Sequence, residues 1–126
     1  MSSEKDLLGS LEDAMLSSPL FRSLNISVDH IKPGDVVLRM DYQEKFTHLG
    51  PFIHGGILTT LADAAISAAL IPLCPIGSRI SAIETSTSFF KSIRNGRIKV
   101  HAKVVKQGKK ICHLRAILSD EKEEQL

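Results

Sequence analysis

The run His54-Gly55-Gly56-Ile57-Leu58-Thr59-Thr60-Leu61-Ala62-Asp63-Ala64-Ala65-Ile66-Ser67-Ala68-Ala69-Leu70-Ile71 holds the residues best suited to chemistry. A Gly-Gly pair opens it, a carboxylate (Asp63) stands nine residues after His54, and a hydroxyl (Ser67) follows one helical turn later. Free N–H groups at a helix start form a partial positive site, and glycines there let a carbonyl oxygen approach closely. A reactive carbonyl resting on the Gly55 and Gly56 amides would have its developing oxyanion stabilised. A carboxylate could then attack that carbonyl or activate a water against it, and Asp63 is the acid placed to do so. Ser67, on the same helix face, is placed to hold the carboxylate or the water.

Spacing sets a constraint. Nine helical residues separate His54 from Asp63 by about 13 Å, too far for one small ester group to touch both. Either the two serve unrelated purposes, or a second copy of the chain brings its Asp63 to the first copy's Gly-Gly.

The element that carries these residues reads as one helix, about residues 55–71, closed by Pro72. It is small or aliphatic nearly all round, which predicts burial on every side and makes a lone carboxylate costly there. With about 15 apolar residues it falls short of the roughly 20 that cross a bilayer.

Before it, Leu7, Leu8, Leu11, Ala14 and Met15 predict an amphipathic helix over residues 4–17, with Leu20 and Phe21 as core anchors after Pro19. Leu24, Ile26 and Val28 alternate as a strand. Lys32-Pro33-Gly34-Asp35 reverses the chain, and Val36 to Tyr42 returns it. After Pro72 and Pro75-Ile76-Gly77, the β-branched and hydroxyl-rich alternation of residues 80–91 predicts a further strand. Asn95-Gly96 signals a hairpin into the strand Ile98 to Val104, and Gln107-Gly108 turns into a last strand, Ile111 to Leu118. The order predicts a single α+β domain, residues 1–126, whose antiparallel sheet wraps the central helix. A sheet covering one helix leaves a face or an edge free, so self-association is expected. The run Ser119 to Leu126 looks like a turn leading to another strand, so the chain is expected to continue past Leu126.

Composition narrows the function classes. A net charge of +2 and no Trp give little surface for nucleic acid. The polar N-terminus lacks a signal peptide's apolar run. Cys74 and Cys112 match no CxxC or zinc spacing, which points to a reduced, cytoplasmic chain with two incidental thiols. No pair among His30, His101 and His113 has metal spacing with a nearby acid, so no metal is expected.

Gly50-Pro51-Phe52-Ile53-His54-Gly55-Gly56 followed by Leu61-Ala62-Asp63 resembles the hotdog-fold acyl-CoA thioesterases. The branch is the one that includes phenylacetic acid-degradation and 4-hydroxybenzoyl-CoA-type thioesterases. The resemblance runs from about residue 20 to residue 120 and takes in Ile83 to Lys91 and the Arg94-Asn95-Gly96 turn. It implies a hotdog fold and hydrolysis of an acyl- or aroyl-CoA to the free acid and CoA, with no cofactor beyond the coenzyme A of the substrate. It also implies sites at the interface of a homodimer, often within a homotetramer, and neither nucleic acid nor membrane as partner.

Where the family has Asn or Gln six residues before the His, this chain has His48, a departure, although a neutral imidazole still donates one hydrogen bond. The family's Ser/Thr on the following strand falls on Ala82, with Ser81 one residue off. Lys91, Arg94 and Lys109, with Lys106 and Lys110, flank the turns where the family contacts the nucleotide, and basic groups there suit phosphate. Phe89 is expected in the core or the acyl pocket. Against these roles stand structural ones: Asp63 as a buried, capped carboxylate, His54 as a helix-entry residue, Gly55-Gly56 as a close-packing device. A non-catalytic hotdog module that binds acyl-CoA as sensor or scaffold is the alternative function, favoured by His48 and Ala82.

Overall fold

The structure, a computed structural model, describes residues 2–75 and 77–126. In chain order it forms α1 (Ser2–Ser17), α2 (Pro19–Leu24), β1 (Ser27–Lys32), β2 (Asp35–Asp41), α3 (Gly55–Leu70), β3 (Arg97–Gln107) and β4 (Cys112–Ser119). The four strands make one antiparallel sheet in the order β1-β2-β3-β4, and α3 packs against one face of it. This is the α+β hotdog arrangement that the sequence predicts.

Alternation places the sheet. Val36, Leu38 and Met40 of β2 and Ile98, Val100 and Ala102 of β3 point inward and are almost wholly buried. They meet Leu58, Leu61, Ala65, Ala68 and Ala69, a stripe along α3 at helical spacing. Each buried leucine or isoleucine of this size contributes about 1.5–3 kcal/mol. The Pro33-Gly34 turn works as the sequence implies, with Gly34 at φ +77°. Its N–H donates to the Ala69 carbonyl at 2.9 Å, pinning the β1–β2 turn to the C-terminal end of α3. At the other end Ile53 donates to Ile93 and Tyr42 to Gly96.

Several expectations are corrected. The helix is not buried all round: Asp63 is exposed, and Thr60, Ala64 and Ser67 are half-buried. An all-apolar surface hides which stripe meets this chain's own sheet, and α1 and α2 cover only part of the rest. No charged or polar residue is buried among the described residues. Asp63 is therefore not the desolvated carboxylate that the pattern implies. Together with the 3₁₀ turn Ile71–Leu73, the apolar helical stretch Gly55–Leu73 is long enough to cross a membrane by length and composition, against the shorter estimate. Only the stripe Leu58, Leu61, Ala65, Ala68 and Ala69 of that stretch is buried within this chain.

Leu24 belongs to α2 rather than to a strand, because Asn25 takes the left-handed conformation (φ +56°) and ends that helix. Strand β1 starts at Ser27, and Leu20 is exposed rather than an anchor. Residues 79–90 form no strand, and among the described residues they enter no sheet ladder. β3 already has β2 and β4 on its two sides, so the run has no ladder to join there. Asn95-Gly96 therefore closes no hairpin. Ile76 of the expected Pro75-Ile76-Gly77 turn lies outside the described residues.

The C-terminal run does turn back: Gln125 bridges Ser119, and the Leu126 N–H donates to the Leu118 carbonyl at 3.0 Å.

Candidate active site

The loop before α3 is a small closed arch. Thr47 bridges Ile53, His48 donates to the Phe52 carbonyl, and His54 donates to the Phe46 carbonyl at 2.8 Å. The arch delivers His54 as the N-cap of α3 in extended backbone (φ −62°, ψ 131°). Its Nδ1 accepts from the Gly56 N–H at 2.9 Å. A ring nitrogen that accepts carries no proton, so Nε2–H is the donor of this neutral imidazole. The His48 ring stands edge-on to it, with centroids 5.8 Å apart.

This geometry divides the two glycines. The Gly56 amide is taken up by the cap, and the Ile57 N–H bonds to the His54 carbonyl. Among the described residues the Gly55 N–H has no partner, and so it is the donor left open at the helix start. Both positions are also tight for a side chain. A Cβ on Gly55 would stand 3.2 Å from the Phe89 ring, and one on Gly56 would stand 3.1 Å from the His54 ring. Either methyl would need its neighbour to yield by a few tenths of an ångström, and of the two amides only that of Gly55 is open among the described residues.

Asp63 and Ser67 lie two and three turns further along α3, on its outer face. They line a cavity of about 250 Å³ under α1 and α2, facing Met15 and Phe21. The structure therefore brings together His48, His54, Gly55, Gly56 and Phe89 at one end of the helix, and Asp63 with Ser67 midway. It does not bring the two groups to each other within one chain. Thr60, which the sequence reading left unused, shares the cavity wall. Its position three residues before Asp63 was the available signal. Its hydroxyl donates to the Gly56 carbonyl at 2.9 Å, just as the Thr59 hydroxyl donates to Gly55.

The expected phosphate-binding set separates. Lys91 is engaged by Asp120 at 2.8 Å and by Glu124. The hydrogen bonds it donates to Asp120 and then to Glu124 hold its pKa above the usual lysine value. Arg94 is exposed before the start of β3, whereas Lys109 lies beyond its far end, about 35 Å away along an eleven-residue strand. One nucleotide cannot span both on a single chain.

On the opposite face of the sheet, Asp35 accepts from His101 at 2.7 Å, and His30 stands 3.7 Å away. Burial works to raise the Asp35 carboxyl. The hydrogen bond and charge of His101, with Lys103 and His30 behind them, outweigh it and hold the carboxyl below its ordinary value.

Comparison with known proteins adds a family to this geometry. The Thioesterase superfamily model matches residues 50–126. A Halobacterium salinarum protein with an esterase designation is 33% identical over 94 residues, 71% of this chain and 62% of its own. Zebra fish Thioesterase Superfamily Member 2 superposes with a TM-score of 0.81 at 25% identity, covering 94% of this chain and 91% of that one. The phenylacetic acid degradation protein PaaI of Thermus thermophilus gives 0.79 at 23%, covering 86% and 91%. The chain spans between 62% and 67% of the length of the curated relatives it matches.

Proposed function

The chain belongs to the thioesterase superfamily, and on that premise we propose that it hydrolyses an acyl- or aroyl-CoA thioester to the free acid and CoA. The observation that carries this reading is the open Gly55 N–H at the start of α3, next to a helix whose exposed face holds a single carboxylate, Asp63. The substrate carbonyl rests on the Gly55 N–H, reinforced by the helix dipole, and its oxygen gains negative charge there as the tetrahedral centre forms. Asp63 attacks the carbonyl carbon or takes a proton from the attacking water, and CoA leaves as the thiol. Ser67, one turn beyond Asp63, orients the carboxylate or that water.

About 12 Å of helix separates Gly55 from Asp63, so the Asp63 that serves one Gly55 comes from a second copy. The working unit is a homodimer, alone or within a homotetramer, with two sites across its interface. Burial of the outer face of α3 in that interface would remove water from around Asp63 and strengthen its charge in the site. His48 donates to the carbonyl or the water, Phe89 walls the acyl end, and Arg94 and Lys109 reach phosphate from different copies. The location is cytoplasmic, and the partners are the acyl-CoA substrate and further copies of this chain.

The test is an assay of CoA release across aliphatic and aromatic acyl-CoAs, with Asp63→Asn beside the parent. A fall in kcat/KM of about 10³–10⁴, which is 4–5.5 kcal/mol of transition-state stabilisation, is expected. Binding of acyl-CoA without turnover by the parent would replace this reading with that of an acyl-CoA sensor.

A further inference from the structure

We propose that Lys91 is a positioning residue: clamped by Asp120 and Glu124, it holds the Phe89 ring beside the open Gly55 N–H and so keeps water from that donor. The inference rests on the function proposed for Gly55 and adds a residue that acts on the site without touching the substrate.

Residues 79–92 have few attachments of their own. Side chains 81–92 are all exposed. Among the described residues no backbone hydrogen bond holds 79–92, and none of its side chains joins the core. Two contacts tie the run down. Phe89 lies against Gly55, where a Cβ would stand 3.2 Å from its ring. Lys91 donates to Asp120 at 2.8 Å and to Glu124. The next fixed point is Ile93, which is buried and whose carbonyl accepts from the Ile53 N–H at 2.9 Å. Four residues of chain from Ile93 to Phe89 reach about 13 Å when extended. A ring on so long a tether is not confined to one helix start, and the Lys91 clamp halves the tether.

The other side of the clamp is held firmly. The Asp120 Oδ1 accepts from the Lys122 and Glu124 N–H groups at 2.9 Å each, which leaves its Oδ2 for Lys91. Asp120 follows directly on β4, whose last residue, Ser119, pairs with Lys99 of β3. The Asp120 side chain is only 11% exposed, and three charges in a network hold where a lone surface pair contributes little. The same two carboxylates repel a phosphate, so the Lys91 ammonium serves the run and not the nucleotide.

The ring in turn serves the chemistry. A phenyl group against the helix start displaces water from the Gly55 N–H, and a donor with less competing water stabilises a developing oxyanion more strongly. That gain arises only as charge develops, so loss of the clamp lowers kcat and kcat/KM together.

The test reads the ring directly, without turnover. The α-protons of Gly55 lie next to the Phe89 ring, so their NMR shifts report its presence, and Phe89→Ala sets the ring-free value. Lys91→Met keeps the stem and removes the ammonium, and it should move those shifts at least halfway to that value. Asp120→Asn keeps the acceptor for the turn and should do the same from the other side. Lys91→Arg, which keeps the charge, should stay with the parent. CoA release by Lys91→Met should fall about three- to tenfold in kcat and kcat/KM alike. Parent-like Gly55 shifts in both Lys91→Met and Asp120→Asn overturn the clamp and leave the role of Gly55 standing. A loss that appears only as a higher KM overturns the shielding. Clamp-dependent shifts in a chain that turns over no acyl-CoA overturn the thioesterase reading and leave the clamp.

Discussion

The two faces of α3 are built from nearly the same small and aliphatic residues, yet they meet opposite surroundings. On the inner face Leu58, Leu61, Ala65, Ala68 and Ala69 are sealed against the sheet. On the outer face Thr60, Asp63 and Ser67 look onto a partly covered groove, and Asp63 is open to solvent. The difference lies in what stands opposite, since the sheet covers one side completely and two short helices cover part of the other. The inner face holds the fold and the outer face is free to do chemistry. The two should therefore be separable by mutation.

The most drastic way to break this division is to exchange the costs of the two faces. Asp63→Asn, which abolishes turnover in the account above, should leave the melting temperature within a degree or two, because no buried partner of Asp63 is lost. Leu61→Ala should do the reverse. Leu61 is fully buried, and its truncation costs about 2–5 kcal/mol of stability by urea unfolding, with activity per folded molecule retained. A destabilised Asp63→Asn together with an inactive but stable Leu61→Ala would abolish the distinction.

A smaller effect sharpens the helix start. Gly55→Ala sets a methyl 3.2 Å from the Phe89 ring and should cost about 1–3 kcal/mol, read by denaturant midpoint. Phe89→Ala in the same chain should return most of that loss, a coupling that a purely conformational need for glycine would not produce. The smallest effect lies on the far side of the sheet. The lowered Asp35 pKa gives a stabilisation that is complete above the ordinary value of 3.8 and lost as pH falls through the folded one. Asp35→Asn should therefore be less stable than the parent at pH 7, and the gap should narrow below about pH 4.

How far the sequence carries depends on whether a residue's role is local. The helix and its Gly-Gly opening are legible because type and spacing suffice. So is the Pro33-Gly34 turn, whose positive φ needs glycine. The exposure of Asp63 is not legible, since an apolar surface does not declare which stripe faces its own chain. Residues 80–90 alternate as a strand should, but a strand needs a ladder partner, and alternation carries no information about one. The His54 cap hides for a similar reason. The ring could have turned toward a substrate, and only the arch from Thr47 to Ile53 shows that it turns back onto Gly56. Lys91 and Lys109 look like one basic group along the chain until the length of β3 and the carboxylates of Asp120 and Glu124 separate them.

The central claim is that Gly55 of one copy and Asp63 of another make one site. It is tested most directly by mixing two inactive variants, Asp63→Asn and Gly55→Val, after unfolding and refolding them together. Each mixed dimer then holds one intact site, so random pairing should restore about a quarter of the parent's CoA release per chain. Activity that stays at the level of the separate variants, with mixed dimers present by native mass spectrometry, would contradict it.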